Sequence, residues 1–146
     1  LNSEGADHRK IDVMEIALVK INLSDMIMEF SGAKSRVFRV VDGITEVKKG
    51  TNTGISIGKK INNNPFNLFV TKLKKGEMVY LSSDGYYDQF RQESQIKFQK
   101  SRLMDLLAKI SCLDVEDQLR TIDNNLKDWK GESEQIDDIM LLGFRI

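Results

Sequence analysis

Two carboxylate-bearing stretches carry the chemistry this sequence offers. One is MVYLSSDGYYDQF, residues 78–90, in which a run of β-forming residues stops at Asp84-Gly85. The other is QIDDIMLLGFRI, residues 135–146, in which Asp137 and Asp138 stand before an apolar run. Asp84 thus ends one strand and Asp137 begins another. If the two strands are antiparallel neighbours, the end of one meets the start of the other, and both acids share one edge of the sheet. Two unpaired carboxylates held that close repel, and one stays protonated unless a cation joins them. Oxygen ligands from Asp suit Mg²⁺ or Mn²⁺. Gly85 permits close backbone approach and a sharp exit after the ligand. An Asp-Gly at a strand end also reads as a plain turn, so spacing alone leaves both readings open.

The elements that must position these acids follow from period. Residues 12–23 (DVMEIALVKINL) are apolar on both faces, which predicts a strand covered on both sides. Residues 25–31 alternate, with Met26, Met28 and Phe30 on one face. Residues 36–41 and 44–47 flank Asp42-Gly43, the turn that two-residue hairpins prefer. Residues 62–65 (NNNP) read as a loop, and residues 66–73 and 78–82 as a second strand pair around Lys74-Lys75-Gly76-Glu77. Helices follow. Leu103, Leu106, Leu107 and Ile110 make one stripe, with Ser101 as N-cap. Asp114 caps the next, whose stripe is Val115, Leu119, Ile122, Leu126 and Trp129, and Gly131 ends it. A last strand spans residues 139–146. Strands, then helices, then a returning strand describe an α+β layered domain.

Composition narrows the function. At 146 residues the chain has room for one domain core, or a large part of a bigger domain. Apolar residues are 40% and charged residues 30%, the balance of a globular protein in water. Lys plus Arg equals Asp plus Glu at 22 each, so nothing forces a basic face and nucleic acid is not an expected partner. The lysine doublets sit beside turn residues and read as solvated loop ends. One cysteine, Cys112, excludes an internal disulfide or a cysteine-built metal site; closing an apolar stripe, it reads as core. No run approaches the roughly 20 apolar residues of a membrane span, and no signal-peptide pattern opens the chain, so a cytoplasmic location is expected.

The two acid-bearing segments, LSSDGYYDQF and QIDDIMLLGFRI, resemble the late motifs of the metal-dependent PPM-type serine/threonine protein phosphatases, in the SpoIIE-like bacterial branch. The resemblance covers nearly the whole chain: IDVMEIALVKINL is similar to a strand often written DGMDIAL, FSGAKSRVFRVVDG to the hairpin region after it, and GISIGKK to a short glycine-flanked segment. It implies a two-sheet antiparallel β-sandwich flanked by helices, with two Mn²⁺ or Mg²⁺ ions at one end in the complete domain. By that match Asp84 and Asp137 are metal ligands that hold one ion together, with Gly85 and Asp138 as weaker site candidates. Asp12 lies near a third, weaker metal position and also reads as a solvated strand-start residue. The nucleophile it implies is a metal-activated water, so no catalytic Ser or Cys is expected.

The resemblance also carries departures. An early Asp-Gly that bridges both metals in the family has no counterpart here, since Asp42-Gly43 falls in a hairpin turn. The N-terminal part of the domain is therefore expected to be missing, and residues 1–146 to form the C-terminal portion of a single SpoIIE-like phosphatase domain. Val13 replaces a usual Gly, Glu15 a usual Asp, and Met140 a Thr common after the D-D pair.

The implied substrate is a phosphorylated regulatory protein such as an anti-sigma-factor antagonist. An upstream sensor or regulatory domain is expected in the parent, which a membrane sensor can tether, and unpaired edge strands leave this piece open to self-association. The alternative function is a non-catalytic phosphatase-like regulatory or docking module. His8 reads as a loop residue, and Trp129 as core. Tyr86, Tyr87 and Phe90 read either as packing or as lining of the substrate approach, and Arg36 receives no role.

Overall fold

Asp42 and Gly43 both take left-handed backbone angles, with φ of 51° and 76°, and close a tight hairpin between strands β3 (Arg36–Val41) and β4 (Ile44–Lys49). That is the conformation their side chains tolerate best. The computed structural model describes residues 13–56, 66–92, 94 and 96–146. Asp12, His8, the loop at 62–65 and most of GISIGKK lie outside the described residues.

Two antiparallel sheets form. Strands β1 (Ile16–Asn22), β2 (Ile27–Ala33) and β5 (Leu68–Lys72) make one, in the order β1-β2-β5. Strands β3 and β4 join β6 (Met78–Ser82) and β7 (Leu141–Arg145) in the other, in the order β4-β3-β6-β7. Between β6 and the last strand lie a single helical turn, α1 (Gly85–Asp88), and two longer helices, α2 (Lys100–Ile110) and α3 (Val115–Lys130).

The four-stranded sheet is the middle layer. Met28, Phe30, Val37, Leu73 and Val79 fill the space between the sheets. Phe38, Val40, Met78 and Tyr80 point the other way, onto Leu103, Leu107 and Ile110 of α2 and Ile122 of α3. Alternation along β3 and β6 therefore buries both of their faces. Each such large apolar side chain contributes about 1.5–3 kcal/mol on burial.

Several expectations are corrected by this arrangement. Residues 66–73 and 78–82 do not pair with each other: β5 bonds to β2 in one sheet and β6 to β3 in the other. The Lys74–Glu77 connection crosses between layers, with Gly76 at φ 91°. The crossing is pinned by Arg39, which grips Glu77 through Nε and Nη2 at 2.8 and 3.2 Å and reaches the Lys72 carbonyl at 2.8 Å. The outer face of β1 is not covered among the described residues, and Leu18 is 66% exposed there.

The helix ends also differ in detail. Ser101 sits inside α2 and Gln99 takes the cap position, because Gln99 at φ 75° already breaks the chain direction. Asp114 and Gly131 bound α3 as expected, with the Gly131 N–H on the Lys127 carbonyl. The first part of the α3 stripe stays open, with Leu119 67% exposed. Cys112 is exposed rather than core, since α2 ends at Ile110 and the turn after it carries the thiol outward.

Candidate metal and phosphoryl site

The pairing on which the site depends is present. Strand β6 lies antiparallel to β7, with Ser82 opposite Leu141. Past that pair, the Ser83 N–H bonds the Met140 carbonyl at 3.0 Å. The Ser83 hydroxyl then ties the two chain segments twice, accepting from the Met140 N–H at 2.9 Å and donating to the Asp138 carbonyl at 2.8 Å. Each bond of this kind stabilises by about 1 kcal/mol. The end of β6 and the Asp137-Asp138 segment are thereby locked side by side.

Gly85 has a steric reason to be glycine. A Cβ at that position would lie 2.5 Å from the Asp138 carbonyl oxygen, so the two backbones touch where Asp84 turns into α1. The Asp84 carbonyl accepts from the Asp88 N–H at 2.9 Å and closes that turn. On the other segment, the Asp137 carboxylate accepts from the Asp138 N–H at 2.7 Å, and Gln135 Nε2 bonds the Asp137 carbonyl at 2.8 Å.

Asp84, Asp137 and Asp138 line one cleft of about 400 Å³ at this end of the sheets. Glu15 lies on the same cleft, and Lys34, Arg36 and Tyr87 are part of its polar lining. An adjoining hollow of about 260 Å³ adds Lys49 and Asn52. Both signs of charge therefore meet in one place, acids from the β6–β7 junction and bases from the segment that leads into β3.

Sequence reasoning placed Asp84, Gly85, Asp137 and Asp138 together and missed the other wall. Tyr87 is buried, and its hydroxyl accepts from Arg36 Nη1 at 2.7 Å. The Arg36 guanidinium carbon also stands 5.2 Å from the centre of the Tyr87 ring. Burial, aided by the neighbouring acids and opposed by Arg36, pushes the Tyr87 phenol up to about 12, so it stays neutral at physiological pH. Tyr86 faces the core instead, with its hydroxyl on the Ile122 carbonyl at 3.0 Å. Trp129 is half-buried and packs against the edge of the core, edge to face on Phe98.

The donor set fits a hard divalent cation in kind. Asp84 and Asp137 offer oxygen ligands, exposed to the cleft at the facing ends of two bonded strands. It does not complete a coordination shell in number: among the described residues, no three His, Cys, Asp or Glu side chains are grouped as an ion would need. A larger groove of about 530 Å³ runs between α3 and the β6–β7 face, but its lining is mainly apolar and includes none of Asp84, Asp137 and Asp138.

A two-layer antiparallel sandwich backed by helices, with acids gathered at one end, is the phosphatase fold of the PPM class. Residues 2–146 match the family model described as Stage II sporulation protein E (SpoIIE), and the chain belongs to that family. Among solved structures it is similar to the SiaA-PP2C domain of Pseudomonas aeruginosa, at 27% identity and a TM-score of 0.79, covering 89% of this chain and 50% of that one. The phosphatase domain of the cell fate determinant SpoIIE from Bacillus subtilis, Mn presoaked, is 16% identical with a TM-score of 0.66, over 90% and 56% of the two chains. The RsbU and RsbW domains of Rv1364c from Mycobacterium tuberculosis are also similar, at 16% identity and a TM-score of 0.65, over 88% and 35%. No curated protein matches the chain. The chain spans about half the length of the SiaA-PP2C domain and of the Mn-presoaked SpoIIE phosphatase domain.

Proposed function

We propose that this chain is the C-terminal portion of a metal-dependent protein serine/threonine phosphatase of bacterial signalling. In this reading it supplies part, not all, of a Mn²⁺ or Mg²⁺ site. The observation that carries the reading is the meeting of Asp84 and Asp137 on one cleft, at the joined ends of β6 and β7. Family membership supports the class of reaction.

In this reading Asp84 and Asp137 each give one carboxylate to a shared cation. Ser83 and Gly85 set the approach of the two segments, through two hydrogen bonds and a backbone contact that a Cβ would block. When bound, such cations polarise a water for attack on phosphorus and neutralise charge as it develops. The substrate we propose is a phosphoserine or phosphothreonine of a small cytoplasmic regulator, such as an anti-sigma-factor antagonist, with the parent's activity governed by an upstream sensor domain.

Mg²⁺ strongly prefers a full octahedral shell, and two monodentate carboxylates provide only part of one. The chain alone is therefore expected to be a poor phosphatase. The test is Mn²⁺-dependent hydrolysis of a phosphoserine protein by the 146-residue chain and by its parent. The expected result is turnover by the parent that is lost in Asp84→Asn, with little from the chain alone. A parent that binds the phosphoprotein but never hydrolyses it would instead make this a docking module. Parent-like turnover by the chain alone would show that the site is already complete.

A further inference from the structure

We propose that Arg36, held in place by Tyr87, is the residue that grips the phosphoryl oxygens of the substrate. The proposal deepens the phosphatase reading and rests on it. A phosphate monoester carries about −1.5 to −2 charges at neutral pH, and a cleft walled only by Asp84, Asp137, Asp138 and Glu15 would repel it. The same cleft is also lined by two cations, Lys34 and Arg36.

Of the two, Arg36 is the built one. It is the first residue of β3, and the next residue, Val37, pairs with Leu81, three positions before Asp84. Its guanidinium is fixed at two points by one buried side chain, through the 2.7 Å hydrogen bond to the Tyr87 hydroxyl and the placement near the Tyr87 ring. Tyr87 is 9% exposed and lies three residues after Asp84, so the acid and the base are positioned by the same short turn. The bond to Tyr87 uses one N–H of Nη1. The Nε and Nη2 donors, spaced to match two oxygens of a phosphate, make no bond among the described residues. An arginine beside several acids that hydrogen-bonds a neutral phenol rather than a carboxylate is arranged to meet an anion from outside.

Lys34 reinforces the wall. It adopts φ 52°, unusual for a residue with a side chain, and its N–H is tied to the Thr51 carbonyl at 2.7 Å. Long-range attraction is its expected contribution, because a single ammonium lacks the planar fork of arginine.

The experiment titrates the ¹⁵N-labelled chain with a phosphoserine peptide, its unphosphorylated form and inorganic phosphate, following the arginine Nε–H signals as well as the amides. Arg36 Nε–H is expected to shift with both phosphorylated probes and not with the unphosphorylated peptide. Arg36→Ala should weaken phosphoserine-peptide binding about 10-fold or more, and Arg36→Lys should recover part of it. Tyr87→Phe, which keeps the ring and drops the hydroxyl, should weaken it about 2- to 5-fold. Binding that is unchanged in Arg36→Ala, equal for the unphosphorylated peptide, or absent from the wild-type chain would overturn the proposal.

Mn²⁺ binding, measured in parallel, separates this proposal from the reading beneath it. Retained Mn²⁺ binding with unchanged peptide affinity in Arg36→Ala sinks the role of Arg36 and leaves the metal site standing. Loss of peptide affinity in a parent that never hydrolyses the phosphoprotein keeps Arg36 as an anchor and sinks the phosphatase.

Discussion

Strand β6 carries a carboxylate at each end, and the two have opposite surroundings. Glu77 precedes the strand and is almost wholly buried, gripped by two nitrogens of Arg39 and by the Lys74 backbone N–H. Asp84 follows the strand and is exposed on a cleft it shares with Asp137. The fold satisfies the first acid itself: Arg39 also bonds Thr71 and the Lys72 carbonyl on β5, so the ion pair fastens one sheet to the other. The second acid is left facing water, in the company of more acids. Stability calls for the former arrangement, whereas nothing in stability calls for the latter. A carboxylate that the fold leaves unmatched beside others is available to a ligand.

The contrast can be broken most forcefully at the buried end. Glu77→Ala should cost about 3 kcal/mol, because it leaves the mostly buried Arg39 guanidinium with only the half-exposed Glu46, at 3.6 Å, as a countercharge. Urea denaturation reads this directly. Replacing both, as Arg39→Met with Glu77→Leu, should recover only part of the loss, since it removes the unpaired charge but leaves the Lys72 carbonyl and the Lys74 N–H without their partners.

A smaller effect is expected where the two segments touch. Gly85→Ala puts a methyl 2.5 Å from the Asp138 carbonyl oxygen and forces the β6 end and the Asp137 segment apart. The cost should be about 1–3 kcal/mol in the same denaturation experiment, with Mn²⁺ affinity falling alongside it. The smallest effect on folding belongs to Asp84→Asn, which should shift stability by no more than about 0.5 kcal/mol. Equal and large destabilisation by Glu77→Ala and Asp84→Asn would erase the distinction between the two acids.

Much of the candidate site was legible because it depends on chain direction alone. Asp84 ends an apolar run and Asp137 starts one, and antiparallel pairing of β6 with β7 does the rest. Gly85 was legible because only glycine allows another backbone to come so close after the ligand. Sheet membership was not, because a short apolar strand bears no mark of its partner. Lys74-Lys75-Gly76-Glu77 has the composition of a hairpin turn, and only the reach of Arg39 to Glu77 and to the Lys72 carbonyl reveals a crossing between layers. Arg36 was passed over because its partner, Tyr87, is far from it in sequence and nothing local joins them. The apolar stripe of α3 was legible, yet its Val115 and Leu119 remain open, since period reports which side chains share a face and not what covers it.

If Asp84 and Asp137 hold one divalent cation between them, a bound Mn²⁺ must sit beside both segments. Titrating Mn²⁺ into the ¹⁵N-labelled chain and mapping the paramagnetic loss of amide signals reads that position residue by residue. The predicted result is selective broadening around residues 83–85 and 137–139, abolished by either Asp84→Asn or Asp137→Asn while the remaining spectrum stays folded. Broadening that centres elsewhere, or that survives both substitutions, would contradict the account.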